Sequence, residues 1–335
     1  MKFLITGITG FAGPHLANQL IYEKHDVYGL VRHSNGRETD ILDVVPVENF
    51  NKIKFLYGDL TNSRDINNIF KEHKFDSVFH LAAQSHPPTS FKDPIGTWNT
   101  NVNGSLNLIQ AIEDHNPEAK LMFCSTSEVY GDTGREGVLI KETDTIFPSN
   151  PYGSSKAAID LYLQERMTNG FIKGFITRAF SHTGPRRGKT FSISSDAFQL
   201  AEIYMKHFDN GVYQNSVLNI GNLETVRVVM DVRDTVNAYY QLMMTNNSNG
   251  KAFNVCGETP YKMQVYTDKL IAISEIPNVE QKIYEPYYRP IDIAYQHGDI
   301  SALKAACPLW KPKYTLDQTL EHLFFYWITK LNNNG

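Results

Sequence analysis

The chain is poor in cysteine, has no long apolar run and carries no excess of positive charge. Its three cysteines, Cys124, Cys256 and Cys307, stand far apart and match no metal-ligand spacing, so neither a disulfide framework nor a cysteine-bound metal is expected. No stretch approaches the roughly 20 apolar residues that a membrane helix needs. A formal net charge of −4 excludes a bulk electrostatic grip on nucleic acid, leaving room only for local basic pockets. Internal repeats and low-complexity linkers are missing as well. Met1 to Thr6 reads directly as a structural strand rather than a leader peptide, and a reduced, cytoplasmic setting is expected. The Asn-rich end, "NNNG", reads as a frayed tail.

What is present suits a globular α/β protein: 335 residues with 41% hydrophobic and 20% charged, enough for two lobes sharing a cleft. Apolar strands at Lys2–Thr6, Val27–Val31 and Ile53–Tyr57 alternate with helical patterns. So do "SVFHLAA" and "KLMFCS", the latter after a long helix from about Asn101 to Asp114. That rhythm predicts an α/β fold, a Rossmann-type doubly wound parallel sheet with a smaller C-terminal substrate-binding lobe. Residues 1–180, with later returns near 225–245, are expected to form the dinucleotide-binding domain, and 181–335 mainly the substrate lobe. Ligands of such sheets bind beyond the carboxyl ends of the strands.

Three motifs fall at that edge. "GITGFAG" carries Gly7, Gly10 and Gly13 between a strand and a helix, with Thr9, Phe11 and Ala12 among them. This context lets backbone approach a pyrophosphate and aims N–H groups at it, so a dinucleotide is expected there. Arg32 stands where a carboxylate would hold the free ribose hydroxyls of NAD; a cation suits a 2′-phosphate, so NADP is expected over NAD. Asp59, in "GDL", faces either the adenine or its own turn. "YGSSK" places Tyr152 and Lys156 on one helix face, where a lysine ammonium beside an oxidised nicotinamide favours phenolate over phenol. "STSEVYG" follows a core strand with two hydroxyls and Glu128, which reads either as solvated polar residues or as a proton-handling carboxylate.

Taken in order, "GITGFAG", "GDL", "HLAAQS", "STSEVYG" and "YGSSK" resemble the extended short-chain dehydrogenase/reductase family. "GPRRGKTF", "GNLETVRVVMDVRD", "YYRPIDIAYQHGD" and "WKP" narrow the resemblance to GDP-mannose 4,6-dehydratase and its GDP-sugar relatives, over nearly the whole chain. The resemblance implies Thr126, Glu128, Tyr152 and Lys156 as catalytic residues, and Leu60, Leu81 and Ala83 beside the cofactor. Tyr152 would take the O4 proton as C4 is oxidised, and Glu128 would remove the C5 proton. Ser127 stands where the dTDP-glucose dehydratases have an aspartate, so Glu128 would serve as both base and acid. Water would then be lost from C6 and the hydride that the nicotinamide took from C4 returned to C6, giving a 4-keto-6-deoxy sugar without net redox.

On the substrate side, arginine forks suit a diphosphate. Candidates are Arg186, Arg187, Arg227 and Arg289; by resemblance Arg227 and Arg289 clamp the diphosphate and Arg187 lies on the sugar-nucleotide loop. Ser85, Ser127 and Ser181 are the expected polar contacts. Ser181 and Ser195 replace the family's usual asparagine and lysine, so a heptose or amino-sugar analogue stays open beside mannose. "HTGP" is reminiscent of the 4-keto-6-deoxymannose reductases, which keeps an NADPH-dependent reductase as the alternative activity. Tyr287 and Tyr288 belong to the core or to a nucleoside pocket. His80, Arg233 and "LFFYW" are read as packing, a structural ion pair and core. The loop at His86 to Pro88 is expected near the nicotinamide. No metal is expected, and a homodimer or homotetramer is implied by the resemblance.

Overall fold

The computed structural model of the chain describes residues 1–32, 37–210, 216–288 and 291–333. Six strands, β1 (Lys2–Thr6), β2 (Asp26–Val31), β3 (Lys54–Tyr57), β4 (Ser77–His80), β5 (Lys120–Thr126) and β6 (Lys173–Ala179), are joined by the strand Ala252–Val255. Together they form one sheet in the order Ala252–Val255, β6, β5, β4, β1, β2, β3. Every pairing is parallel. The chain winds outward from β1 to β3, then returns to place β4 on the other side of β1. That reversal opens a crevice beyond Thr6 and His80, the place where doubly wound sheets take their ligands.

Alternation explains why both faces are covered. Phe3, Ile5, Phe79, Met122, Phe175 and Phe253 point to one layer, whose helices include Ala12–Tyr22 and Val232–Met244. Leu4, Val78, Leu121, Phe123 and Ile176 point to the other, packed by Ser63–Glu72, Gly104–His115 and Pro151–Thr168. Successive side chains of a strand face opposite ways, so a strand that is apolar throughout needs a helix on each side. A third core, around Leu200, Leu218, Leu270 and Leu323, binds the helices Ser192–Asn210, Met263–Ser274 and Leu316–Asn332 into a smaller lobe. Each such buried leucine or phenylalanine contributes about 1.5–3 kcal/mol.

Three local differences from the sequence reading matter. The long helix expected from about Asn101 is interrupted: a π segment, Asn99–Asn103, precedes the helix Gly104–His115. Wide turns of this kind are rare and re-aim side chains. Here Asn101 is buried; it accepts from the Gln84 N–H at 2.8 Å and donates to Ser155 Oγ at 2.9 Å. His86 is an N-cap rather than mid-loop, because Pro87 and Pro88 start the helix Pro87–Lys92 with their preset φ. In the aromatic tail only Leu323 and Phe324 are core, while Phe325 is exposed. Tyr326 donates to Asp43 at 2.8 Å, and Trp327 packs against the edge of the third core while its indole N–H donates to Ser194 at 3.0 Å. Among the described residues no helix is long and apolar enough to cross a membrane.

Candidate active site

A cavity of about 1140 Å³ runs from the open rim of the sheet into the smaller lobe. Of the described residues that the sequence marked for catalysis, cofactor or substrate, all but Arg186 line it; Arg289 lies outside the described residues. The cavity begins at the glycine turn. Gly7 has φ +75°, and a Cβ there would sit 2.7 Å from the Ala82 nitrogen. One on Gly13 would lie 2.4 Å from the Gly7 carbonyl oxygen. The turn is therefore closed to any side chain at these two positions, and backbone forms the cavity wall. The helix Ala12–Tyr22 that follows has no side-chain cap and no acidic residue in its first turn, so its N–H groups and dipole face the cavity uncompensated. Arg32 follows β2 on the exposed rim, and Asp59 spends one carboxylate oxygen on the Thr61 backbone and hydroxyl, both at 2.8 Å.

The local logic of "STSEVYG" is a strand ending in a one-turn helix. Thr126 is the N-cap of the 3-10 turn Ser127–Tyr130, and its hydroxyl accepts the Glu128 N–H at 3.2 Å. Ser125 is anchored below by Asp160 at 2.7 Å, itself held by both arms of the fully buried Arg178. Ser127 Oγ donates to Gln296 at 3.1 Å, tying this turn to the smaller lobe. Glu128 is half-buried on the cavity wall, and Asn150 donates to its carboxylate at 2.7 Å.

Tyr152 and Lys156 stand one helical turn apart on Pro151–Thr168 and are both buried. Burial pushes the Tyr152 phenol well above its ordinary value. Cys124 and Glu128 add to the rise, and a hydrogen bond with Thr126 and the Arg187 charge pull against it. The protein alone thus keeps Tyr152 protonated; phenolate needs a further positive charge at the ring. Burial lowers the Lys156 ammonium to about 8, with Cys124 and Asp160 opposing, and its Nζ lies 4.2 Å from the Phe123 ring centre. Beneath them His80 is hydrogen-bonded to Thr6 at 2.7 Å and Ser105 at 2.8 Å, and burial drives its pKa down to about 3. It is a neutral packed residue, as its place in an apolar strand suggests.

The arginines divide by role. Arg187 lines the cavity with its guanidinium stacked 3.4 Å from the Phe191 ring centre and 4.7 Å from that of Phe11. Arg227, nearly buried, pairs with Asp292 at 3.3 Å, so a diphosphate arriving there would share it with a carboxylate. Arg186 turns away from the cavity. It donates to the carbonyls of Gly10 at 2.9 Å and Thr9 at 3.0 Å and binds Asp43 at 2.5 Å, clasping the back of the glycine turn. Arg233 forms its ion pair with Asp231 at 2.6 Å. Ser85 and Ser181 line the cavity, as do Tyr287 and Tyr288, which are half-exposed rather than core. Sequence reasoning missed Asn150, Asn101, Gln296 and Asp196. An Asn directly before the proline of "NPYG" signals an N-cap, whereas the other three depend on long-range packing alone.

A doubly wound sheet whose rim joins a glycine turn, a Ser/Thr-Glu strand end and a Tyr-Lys helix face places the chain in the extended short-chain dehydrogenase/reductase class. Within it, the chain belongs to the GDP-mannose 4,6 dehydratase family, whose model matches residues 4–323. It is 28% identical to the GDP-6-deoxy-D-mannose reductase of Pseudomonas aeruginosa over 333 residues, 98% of each chain. With the GDP-mannose 4,6-dehydratase of Vibrio cholerae it shares 29% over 356 residues, covering 96% of this chain and 91% of that one. The structure of RMD from Pseudomonas aeruginosa complexed with NADPH superposes with a TM-score of 0.79 at 25% identity, over 98% of this chain and 100% of the other.

Proposed function

We propose that the protein is an NADP-dependent GDP-sugar 4,6-dehydratase acting on GDP-mannose or a close analogue. The observation that carries this reading is the half-buried Glu128 carboxylate, fixed by Asn150 on the same cavity wall as Thr126, Tyr152 and Lys156. A dinucleotide fits the glycine turn because the backbone is bare at Gly7 and Gly13 and the helix behind them is uncapped. Arg32 at the rim favours the 2′-phosphate form. In this reading residues 1–180, with the return at 225–245, hold the dinucleotide, and residues 181–335 hold most of the sugar nucleotide.

When bound, the nicotinamide supplies a reversible two-electron store beside the sugar. Tyr152 accepts the proton from O4 once that positive ring lies beside it, and Lys156 holds the ribose and its own charge nearby. Thr126 hydrogen-bonds at O4 and orients the hexose. Glu128 removes the C5 proton and returns one to the oxygen leaving C6; with Ser127 beside it, no second carboxylate shares that task. Arg187, Arg227 and Arg289 balance the diphosphate, the last on sequence grounds. Ile95, Trp98 and Leu161, exposed on two helices in mutual contact, offer the apolar surface that a homodimer would cover.

A second reading, an NADPH-dependent reductase of a GDP-4-keto-6-deoxy sugar, is favoured by the similarity to the Pseudomonas reductase. Purified protein given GDP-mannose without added cofactor separates the two. A keto sugar absorbing in alkali supports the dehydratase; turnover only with NADPH and a 4-keto substrate supports the reductase.

A further inference from the structure

Asp196, near the start of the helix Ser192–Asn210, is a carboxylate that the dinucleotide and hexose chemistry leaves unused. It is 4% exposed, yet it lines the cavity in the smaller lobe beside Met263 and Ser195. Behind it the fully buried Thr267 hydroxyl donates to Oδ2 at 2.7 Å. Among the described residues this is its one hydrogen bond, and no cation pairs with it. Burying an acid so incompletely matched is costly unless a ligand completes it. Burial pushes this carboxyl up to about 7, so near neutrality it is poised between its two forms.

The chemistry it wants follows from what it offers. Oδ1 has both lone pairs open and Oδ2 keeps one, so the ionised group presents adjacent acceptors and no donor. A diphosphate is repelled by such a wall. Among nucleotide bases, guanine alone carries two neighbouring donors, N1–H and the N2 amino group, on one edge. Cytosine, uracil and adenine each present a single donor there.

Resting on the sugar-nucleotide reading above, we propose that Asp196, backed by Thr267, is the residue that selects a guanine nucleotide by accepting both donors of that edge. Hydrogen bonds to a charged acceptor stabilise by about 1.5–3 kcal/mol each, which is roughly 10- to 100-fold in affinity.

The test is calorimetric titration of the full chain with GDP, IDP and CDP, where IDP lacks only the 2-amino group. Wild type is expected to bind GDP about 10- to 100-fold more tightly than IDP. Asp196→Asn, whose amide puts a donor against a donor, is expected to lose most of that preference, weakening GDP by two hydrogen bonds and IDP by the N1–H bond alone, while binding CDP and NADPH as before. Retained NADPH binding certifies that the variant is folded. Equal wild-type affinity for GDP and IDP would overturn the assignment without any variant. So would an unchanged GDP-to-IDP ratio in Asp196→Asn, or weakening confined to GDP-mannose with GDP unaffected, which would place the carboxylate against the sugar. If wild type binds NADPH but none of the three nucleotides, the sugar-nucleotide reading itself fails, and this assignment with it.

Discussion

Asn150 holds two things at once: its Nδ2 donates to Glu128 Oε2 at 2.7 Å, while its Oδ1 accepts the Gly153 N–H at 2.7 Å as N-cap of the helix bearing Tyr152. The carboxylate and the phenol are thereby referred to one fixed point. Serine caps a helix as well as asparagine does but has no amide to reach Glu128. Asn150→Ser should therefore change stability by less than about 0.5 kcal/mol, while Asn150→Ala costs about 1 kcal/mol. Turnover should fall in both, by about 10- to 100-fold, if Glu128 is the proposed base, because its carboxylate is no longer aimed. Thermal melts beside steady-state rates check this; full activity in Asn150→Ser would leave Asn150 a cap and nothing more.

Lys156 sets a pH limit. Its ammonium is present below about 8 and lost as the pH rises through that value, since burial has lowered it from the ordinary lysine range. Dinucleotide affinity should weaken above that point. Lys156→Met should bind weakly at every pH and show no such limb. Affinity that stays flat to strongly alkaline pH in wild type would contradict the assignment of the ribose to this side chain.

Arg186 clasps the glycine turn from behind. It sits at φ +75°, a backbone region that non-glycine residues occupy only when their surroundings require it. Its bonds to Gly10, Thr9 and Asp43 link the glycine turn to the segment after β2, and Asp43 in turn takes Tyr326 at 2.8 Å from the last helix. Arg186→Ala should loosen the turn and lower dinucleotide affinity about 10-fold, on the scale of one charged hydrogen bond. The Asp43→Asn variant should weaken the same binding by less. Titration with NADP measures both, and an unaffected Arg186→Ala would reduce the clasp to surface packing.

His80 contributes to acid sensitivity. The folded chain holds it neutral down to about pH 3, whereas the unfolded chain protonates it near 6.5. Its stability contribution is complete above 6.5 and is lost as the pH falls from there toward 3. The slope reaches about 1.4 kcal/mol per pH unit once the unfolded form is protonated. Denaturant melts of His80→Gln across that range should show a slope shallower by up to one proton; an unchanged slope would place the acid sensitivity elsewhere.

The first five strands, the glycine turn and the Tyr152–Lys156 face were legible in the sequence because each is a local pattern: apolar runs, spacing and turn chemistry. The interruption at Asn99–Asn103 was not, since the weak helix formers of "NTNVNG" do not specify a π turn and the wide turn is stabilised by Gln84 and Ser155, distant in sequence. The arginines were legible as cations near a site but not by direction. Arg186 and Arg187 are neighbours in sequence, yet one faces the back of the glycine turn and the other the cavity. β6 and the strand Ala252–Val255 were missed; the latter pairs with β6 across a gap of more than seventy residues, which no local periodicity records.

The most direct measurement of the central claim is a mass spectrum of GDP-mannose turned over in deuterated water by the purified protein without external reductant. If Glu128 exchanges the C5 proton while Tyr152 handles O4, the product has lost one water and carries a single deuterium at C5, and Glu128→Gln gives neither change. A substrate returned with its mass unaltered, or a product that forms only when NADPH is consumed in equal amount, would contradict the dehydratase account.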